Sequence, residues 1–361
     1  MTDFFEIDFL DVETDVSGDA ITVRYEINGE TAIHVVDAGY QVTGESVVDH
    51  LNTYYGNDCH VNRVIVSHSD GDHSGGIPIV LQQCDIGELW MLRPWIYAAE
   101  IKHRFKDCQS TEQLERAIRE AYPRLAEIEE VAHSKNIPIY EPFQGTKIGA
   151  FTVMAPSRDR YLTLVVESDK TPEHIADTAS ALAAAYHMLA RAAVKIASLV
   201  KAAWGEETFS SDDISAENEM SVIQYGELCG KKILLTADGG RGALDEAANF
   251  APYVNLQLPG IDRFQVPHHG SRRNLSTDLL DRWLGQRLSQ QLPKGQELFT
   301  AIISSAKKDV EHPRKSVVRA MIHRGGRVVS TEGNSVRTSV NAPHRDWGPA
   351  EPMAYPEEQE D

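Results

Sequence analysis

The stretch Ser67-His68-Ser69-Asp70-Gly71-Asp72-His73-Ser74-Gly75-Gly76 decides how the rest of the chain is interpreted. It places two imidazoles and two carboxylates within the six positions from His68 to His73. The β-branched, apolar run VNRVIV at 61–66 comes directly before it, so the cluster is predicted to begin where a buried strand ends. Four such side chains in a plain solvated turn would be costly to desolvate without an ion. We therefore interpret the stretch as half of a metal site at a strand end, where α/β sheets place their chemistry.

The bulk composition is that of a globular chain, with 361 residues of which 42% are hydrophobic. No window approaches twenty apolar residues and the acidic N-terminus resembles no leader, so we predict a cytoplasmic protein without a membrane partner. The cysteines are scattered without a CxxC pair and are predicted to be reduced core thiols. They are Cys59, Cys84, Cys108 and Cys229.

Charge is unevenly distributed along the chain. The net charge of −19 argues against unspecific adhesion to nucleic acid. Residues 261–345, however, carry 15 basic against 7 acidic side chains. This segment is either ordinary solvated surface or a basic rim that faces an anionic substrate.

Strands and helices alternate along most of the chain. Residues 4–37 are predicted to form a β-meander with a hairpin turn at Asn28-Gly29, followed by a helix over 44–56. A strand is predicted over 86–95, and a long helical stretch over 96–135 should be split by its internal proline, Pro123.

Two segments differ from this pattern. Residues 158–216 contain an Ala-rich helical run at 174–204, which we interpret as an insertion that forms a helical arm, a homodimer surface or a protein-partner surface. The tail 341–361 is rich in Pro and Glu and is predicted to be disordered. One domain is therefore predicted over 1–340.

Acidic and imidazole side chains recur where predicted strands end. Asp37 follows TAIHVV, Asp238 follows KILLTA, and His312 comes after LFTAIISS. The pair His268-His269 follows DRFQVP. Any one of these could be a turn or core residue, but together they indicate a metallohydrolase, because strand ends bring such ligands into one cleft.

The ordered motifs VVDAG, SHSDGDHSGG, LLTADGG, VPHHGS and EHP resemble the metallo-β-lactamase fold superfamily. More narrowly, they are similar to the hydrolase domain of the ComEC family of competence proteins, as is the early LDVETDVSGDAITV. The resemblance covers roughly 5–95 and 218–335. It implies a four-layer αββα sandwich with two metal ions at one edge of the paired sheets.

The resemblance also implies roles for individual residues. His68 and Asp70 would hold one ion, Asp72 and His73 the other, and Asp238 would bridge them. One of His268 and His269 would complete a ligand shell while the other faces the substrate. Asp37 would support a ligand from behind, and His312 would be a ligand or a phosphate contact. Two departures stand out: most superfamily members have a second histidine at position 70, and the intermediate histidine ligand has no clear counterpart between 140 and 230.

The oxygen ligand at position 70 shifts the expected preference from zinc towards manganese, so either ion is a candidate. Two such ions about 4 Å apart would bind a bridging hydroxide, which Asp72 would orient and whose proton Asp72 would receive as the hydroxide attacks. The favoured substrate is a phosphodiester, either single-stranded DNA or a nucleotide, with Arg272 and Arg273 as substrate contacts or as plain surface charge. The alternatives are an amide or ester hydrolase, such as a peptidase or lactonase, and a non-catalytic partner subunit.

Overall fold

The computed structural model describes residues 2–56, 58–106, 108–172 and 198–361. The strands in these ranges are β1 (Phe4–Phe9), β2 (Ala20–Ile27), β3 (Glu30–Ala38), β4 (His60–Ile65), β5 (Asp85–Trp90), β6 (Ile139–Tyr140), β7 (Lys147–Ile148), β8 (Phe151–Ala155), β9 (Leu199–Lys201), β10 (Ile223–Leu228), β11 (Lys231–Leu235), β12 (Arg263–Gln265), β13 (Phe299–Ile303), β14 (Gly326–Ser330), β15 (Val336–Val340) and β16 (Glu358–Glu360). The α-helices in these ranges are α1 (Gly44–Tyr54), α2 (Gly71–Ser74), α3 (Ile77–Gln83), α4 (Ala98–Ile101), α5 (Thr111–Ala121), α6 (Pro123–Ser134), α7 (Arg158–Glu167), α8 (Ala216–Glu219), α9 (Arg241–Phe250), α10 (Thr277–Leu284) and α11 (Lys315–His323).

Two large mixed sheets and their helices make up an α/β fold, as the sequence predicts. Within the described residues each sheet has seven strands, in the orders β15-β1-β2-β3-β4-β5-β6 and β14-β13-β12-β11-β10-β8-β7. The first sheet starts with the predicted β1-β2-β3 meander and continues with β3, β4 and β5 in parallel. In the second sheet β11 to β14 are parallel. Parallel strands end at the same edge, so the loops after β3 and β4, and those after β11, β12 and β13, are grouped.

Successive side chains along a strand face opposite sides of the sheet, and this alternation explains how sheets and helices form layers. In β11, Ile233 and Leu235 join the large core that they share with the first sheet, whereas Leu234 faces the opposite way. That outer face packs under α9, α10 and α11, where a second core contains Leu234, Leu280 and Met321. A sheet with both faces buried needs apolar residues at successive positions, and KILLTA supplies them.

The predicted helices are confirmed with shifted bounds. The helix expected over 44–56 is α1, and the strand expected over 86–95 is β5. The helical stretch 96–135 consists of the short helix α4 with a 3-10 turn on either side, followed by α5 and α6, and Pro123 separates the last two. Proline suits the first turn of α6, because the N–H that it lacks would have no helical partner there.

Two predictions need correction. Cys59 and Cys84 form a disulfide with their Cα atoms 4.9 Å apart, although they are 25 residues apart in sequence, so only Cys108 and Cys229 are free among the described cysteines. The residue before β4 and the residue after α3 meet at one end of the sheet, and this proximity has no signature in Cys spacing.

The tail 341–361 is ordered rather than disordered. Arg345 is buried, and its Nη1 donates a hydrogen bond to Oδ2 of Asp8 at 2.8 Å. Strand β16 pairs with β9, and the Glu360 carboxylate accepts hydrogen bonds from the backbone of Lys315 and Ser316 at 2.9 and 3.0 Å. Composition suggested disorder, but these charged residues have buried partners that are distant in sequence.

The Ala-rich helix predicted at 174–204 lies largely outside the described residues. None of the described helices is long and apolar enough to cross a membrane.

Candidate metal centre

The loop after β4 is folded tightly against the end of β3. Helix α2 begins after Asp70, whose carbonyl accepts a hydrogen bond from the Ser74 N–H at 2.9 Å. Gly76 lies so close to β3 that a Cβ on it would be 2.2 Å from the Ala38 carbonyl oxygen. Only glycine permits this approach, which holds the loop carrying His68 to His73 beside Asp37.

Four side chains from three separate elements converge at this edge. Among the described residues, Asp72, His73, Asp238 and His269 each offer one ligand atom within 4.8 Å of the others. Nε2 of His73 is 3.0 Å from Oδ1 of Asp238, and Nε2 of His269 is 3.3 Å from Oδ2 of Asp72. Helix α2 supplies the first two side chains, and the loops after β11 and β12 supply the others.

Hydrogen bonds behind the rings aim the imidazoles at this centre. Nδ1 of His73 donates to Oδ2 of Asp37 at 2.8 Å, and Asp37 is itself fixed by the Ser67 N–H at 2.8 Å. Nδ1 of His269 donates to the Ser304 carbonyl at 2.9 Å. In the neutral rings Nε2 therefore carries the lone pair, which is the arrangement that a metal-binding histidine requires.

Buried polar atoms without partners face the same point. Nε2 of His68, Nε2 of His73 and Oδ1 of Asp238 are buried and lack hydrogen-bond partners. Such atoms are rare in folded proteins because each costs the desolvation of a polar group. A divalent ion held by Asp72, His73, Asp238 and His269 would satisfy Nε2 of His73 and Oδ1 of Asp238, so the residues present fit a bound metal with two imidazole and two carboxylate ligands.

The carboxylates and imidazoles of the centre shift one another's pKa values. Burial alone lowers the pKa of His73 and His269, but the Asp238 and Asp72 carboxylates outweigh it. The pKa of His73 lies well above its ordinary value, and that of His269 is raised to about 9. Burial likewise opposes ionisation of Asp72, yet His73 and His269 lower its pKa to about 2. Carboxylates held ionised in a buried site attract a cation.

His68 and Asp70 form a second, looser group beside these four. Nε2 of His68 is 3.8 Å from Oδ2 of Asp70 and 3.9 Å from Oδ2 of Asp238. Oδ1 of Asp70 is paired with Nζ of Lys170 at 2.9 Å.

The two adjacent histidines differ in position, which the sequence left open. His269 belongs to the converging group, whereas the His268 side chain is 29% exposed and its Nδ1 lies 2.6 Å from Nδ2 of Asn218. Burial lowers the pKa of His268 to about 4, so its neutral ring can accept this hydrogen bond from Asn218. Both histidines have left-handed backbone conformations, with φ of 49° and 54°, a strain typical of functional sites.

His312 lies at the rim of the centre. Its ring centroid is 5.7 Å from that of His268 and 6.1 Å from that of His269. Its Nδ1 is 3.2 Å from Oδ2 of Asp309. Burial raises the pKa of Asp309, but hydrogen bonds from His312 and Ser17 outweigh it and hold that pKa well below its usual range.

The two arginines predicted to contact substrate have partners on neighbouring loops. Nη1 of Arg272 donates to the Asp361 carbonyl at 2.9 Å, and Nη2 of Arg273 is 3.6 Å from Oδ2 of Asp212.

Asp19 is a site residue that the sequence reasoning missed. It is 1% exposed, lies 3.8 Å from Nδ1 of His73, and accepts a hydrogen bond from Gln265 at 3.1 Å. Burial raises its pKa. Asp19 lies within LDVETDVSGDAITV, the stretch that resembles the ComEC family, but no site role was predicted for it.

Comparisons with known proteins find no match among protein-family models and no significant match among curated proteins. Solved structures with some similarity include the hydrolase AbOPH of the beta lactamase superfamily, at 12% identity and a TM-score of 0.29 over 61% of this chain and 56% of that chain. The metallo-beta-lactamase SMB-1, bound to 2-mercaptoethanesulfonate, matches at 9% identity and a TM-score of 0.30 over 70% of this chain and 78% of its own. An E377D mutant of the CmlA beta-hydroxylase matches at 9% identity and a TM-score of 0.38 over 94% of this chain and 54% of its own.

These TM-scores are too low to carry an argument, and the chain spans only about half the length of AbOPH. The assignment therefore rests on the chain's own topology and residues. They define an α/β protein with two large sheets and a buried His/Asp centre, at their shared edge, that is suited to a divalent metal ion.

Proposed function

We propose that the chain is a metal-dependent hydrolase of the metallo-β-lactamase type and that its substrate is a phosphodiester. The observation that carries the proposal is the convergence of Asp72, His73, Asp238 and His269, in which Nε2 of His73 and Oδ1 of Asp238 are buried without hydrogen-bond partners. The proposal includes a relationship to ComEC-type hydrolase domains. It also includes zinc or manganese as the bound ion. The carboxylate share of the ligand set favours manganese.

A bound divalent ion would lower the pKa of a water molecule and polarise the oxygen of the scissile group. The chain's own residues provide the remaining steps. In this proposal Asp72, whose side chain is 23% exposed, orients the attacking water and accepts its proton. In this proposal His312, whose ring is hydrogen-bonded to Asp309, protonates the leaving oxygen. The water oxygen forms the new bond to phosphorus while the bond to the leaving oxygen breaks.

The test is hydrolysis of bis(p-nitrophenyl) phosphate and of single-stranded DNA by protein stripped with a chelator and then supplied with Zn²⁺ or Mn²⁺. We expect turnover only with added metal, and its loss in Asp72→Ala. Asp346→Ala is the matched control, because that carboxylate is fully exposed and distant in sequence from the site motifs. Metal binding without phosphodiester turnover would overturn the choice of substrate.

A second candidate, hydrolysis of an amide or ester, is favoured by the cavity beside His68. That cavity is lined mainly by apolar side chains: Val66, Met91, Leu92, Leu125, Tyr161 and Met220. Arg272 and Arg273 already contact the Asp361 carbonyl and the Asp212 carboxylate, so their charges are less available to an anionic substrate. The apolar cavity therefore suits an uncharged substrate with an apolar group. Turnover of p-nitrophenyl esters in the same assay, without phosphodiester turnover, would select this candidate.

A further inference from the structure

The His68 side of the centre offers fewer ligand atoms than the side that holds the four converging ligands. An ion there would be held by Nε2 of His68, Oδ2 of Asp70 and Oδ2 of Asp238. Nδ1 of His268 is 3.6 Å from Asp238, but it is already bonded to Asn218. The described residues therefore offer this side fewer free ligand atoms than a closed metal site uses.

The ammonium group of Lys170 already pairs with one of the ligands on the His68 side. Nζ of Lys170 pairs with Oδ1 of Asp70 at 2.9 Å and lies 5.8 Å from the ring centroid of Tyr122. The backbone N–H of Lys170 donates to Oγ of Ser168, and that hydroxyl donates to the buried Glu217 carboxylate. Tyr122 donates to the same hydroxyl at 3.0 Å, so a buried network fixes the segment that carries Lys170.

Charge balance points the same way. Three carboxylates face the centre, those of Asp70, Asp72 and Asp238. One divalent ion and one ammonium neutralise these three, while the Asp19 and Asp37 carboxylates lie behind the His73 ring, on its Nδ1 side. A second divalent ion beside Lys170 would be repelled by the ammonium at short range.

We infer that Lys170 takes the place of a second metal ion. The centre then holds one ion tightly, at Asp72, His73, Asp238 and His269, and the Lys170 ammonium supplies the second positive charge towards an anionic substrate oxygen. This inference rests on the proposed function for the ion itself, but the number of ions can be measured without any turnover.

The experiment is metal analysis and calorimetric titration with Mn²⁺ and Zn²⁺ of the full chain, comparing wild type with Lys170→Met and Lys170→Arg. We expect one tight ion in wild type and in Lys170→Arg. Lys170→Met should bind a second ion at least about tenfold more tightly than wild type does, because the competing charge is gone.

Each outcome supports or overturns the role of Lys170 in place of a second metal ion. Two tight ions in wild type, or no second ion in Lys170→Met, would overturn the role of Lys170 and leave the metal-dependent function standing. No tight ion in any of the proteins would overturn the proposed function as well. Lys170 is 40% exposed, so the substitution removes a charge without opening the core.

Discussion

Asp37 accepts a hydrogen bond from Nδ1 of His73 at 2.8 Å, and the opposite ring nitrogen lies 3.0 Å from Oδ1 of Asp238. The His73 ring thus connects the Asp37 carboxylate, behind the centre, to the Asp238 carboxylate inside it. Because Asp37 is buried and held by two hydrogen bonds from Ser67, the imidazole cannot rotate without losing its bond to a fixed carboxylate. The metal affinity of the centre should therefore depend on a residue that touches no metal.

The first prediction concerns this support. Asp37→Asn should weaken metal binding by about 10- to 100-fold, because the amide makes the imidazole a poorer ligand and cannot accept every hydrogen bond that the carboxylate accepts. Competition with a chromophoric chelator measures the affinity. Asp85→Asn is the control, since Asp85 also bonds an imidazole, that of His60, but on the exposed surface. Unchanged affinity in Asp37→Asn would remove this role from Asp37.

The second prediction separates acid catalysis by His312 from metal binding. His312→Gln should lower kcat by about 100-fold or more for phosphodiesters with alkyl leaving groups, which need a proton. The loss should be much smaller for p-nitrophenolate, a good leaving group that needs none. The measurement is kcat against leaving-group pKa, with metal affinity as the control for an intact centre. An equal loss for all leaving groups would show that His312 positions the substrate instead.

Asp309→Asn provides a second check on His312. Asp309 holds the His312 ring, and it also accepts hydrogen bonds from the backbone and hydroxyl of Ser17 at 3.1 and 2.7 Å. The substitution should reproduce the leaving-group dependence of His312→Gln at smaller magnitude.

The third prediction tests the glycine packing that positions the metal loop. Gly76→Ala should destabilise the protein by about 2 kcal/mol or more and weaken metal binding, because its Cβ would be 2.2 Å from the Ala38 carbonyl oxygen. Gly71→Ala is a matched control in the same loop, since a Cβ there meets no atom within 4 Å. Urea unfolding and chelator competition on both variants make the comparison. Equal effects of the two substitutions would contradict the packing argument.

Much of the centre could be predicted from local sequence because its residues come in motifs directly after buried strands. The loop from His68 to His73, Asp238 and His269 fall into this class. Strand periodicity predicts where each motif starts, and the parallel order of the strands brings the motifs to one edge.

Other features depend on contacts between distant parts of the chain. Asp19 and Gln265 are 246 positions apart, and Asp70 and Lys170 are 100 apart. The Cys59–Cys84 disulfide and the burial of Arg345 against Asp8 are of the same kind. No local pattern encodes such pairs, so composition led to the prediction of free thiols and a disordered tail.

The fourth prediction concerns a buried histidine outside the centre. His34 is fully buried, with Nε2 3.3 Å from the hydroxyl of Tyr25 and no hydrogen-bond partner for Nδ1. Burial, assisted by the charge of Arg63, lowers its pKa from 6.5 to about 3. Between these values the unfolded chain binds a proton that the folded protein does not, so the free energy of unfolding falls as the pH falls below 6.5.

For this single group the loss should reach about 2 kcal/mol between pH 8 and pH 5. Urea unfolding of wild type and His34→Gln across this range measures it, and subtracting the two curves removes the other titrating groups. His344→Gln is the control, because the His344 side chain is 89% exposed and should leave the wild-type pH dependence unchanged. Parallel curves for wild type and His34→Gln would mean that the buried imidazole takes up its proton in the folded protein, which the apolar rings around it, including Phe151, are expected to prevent.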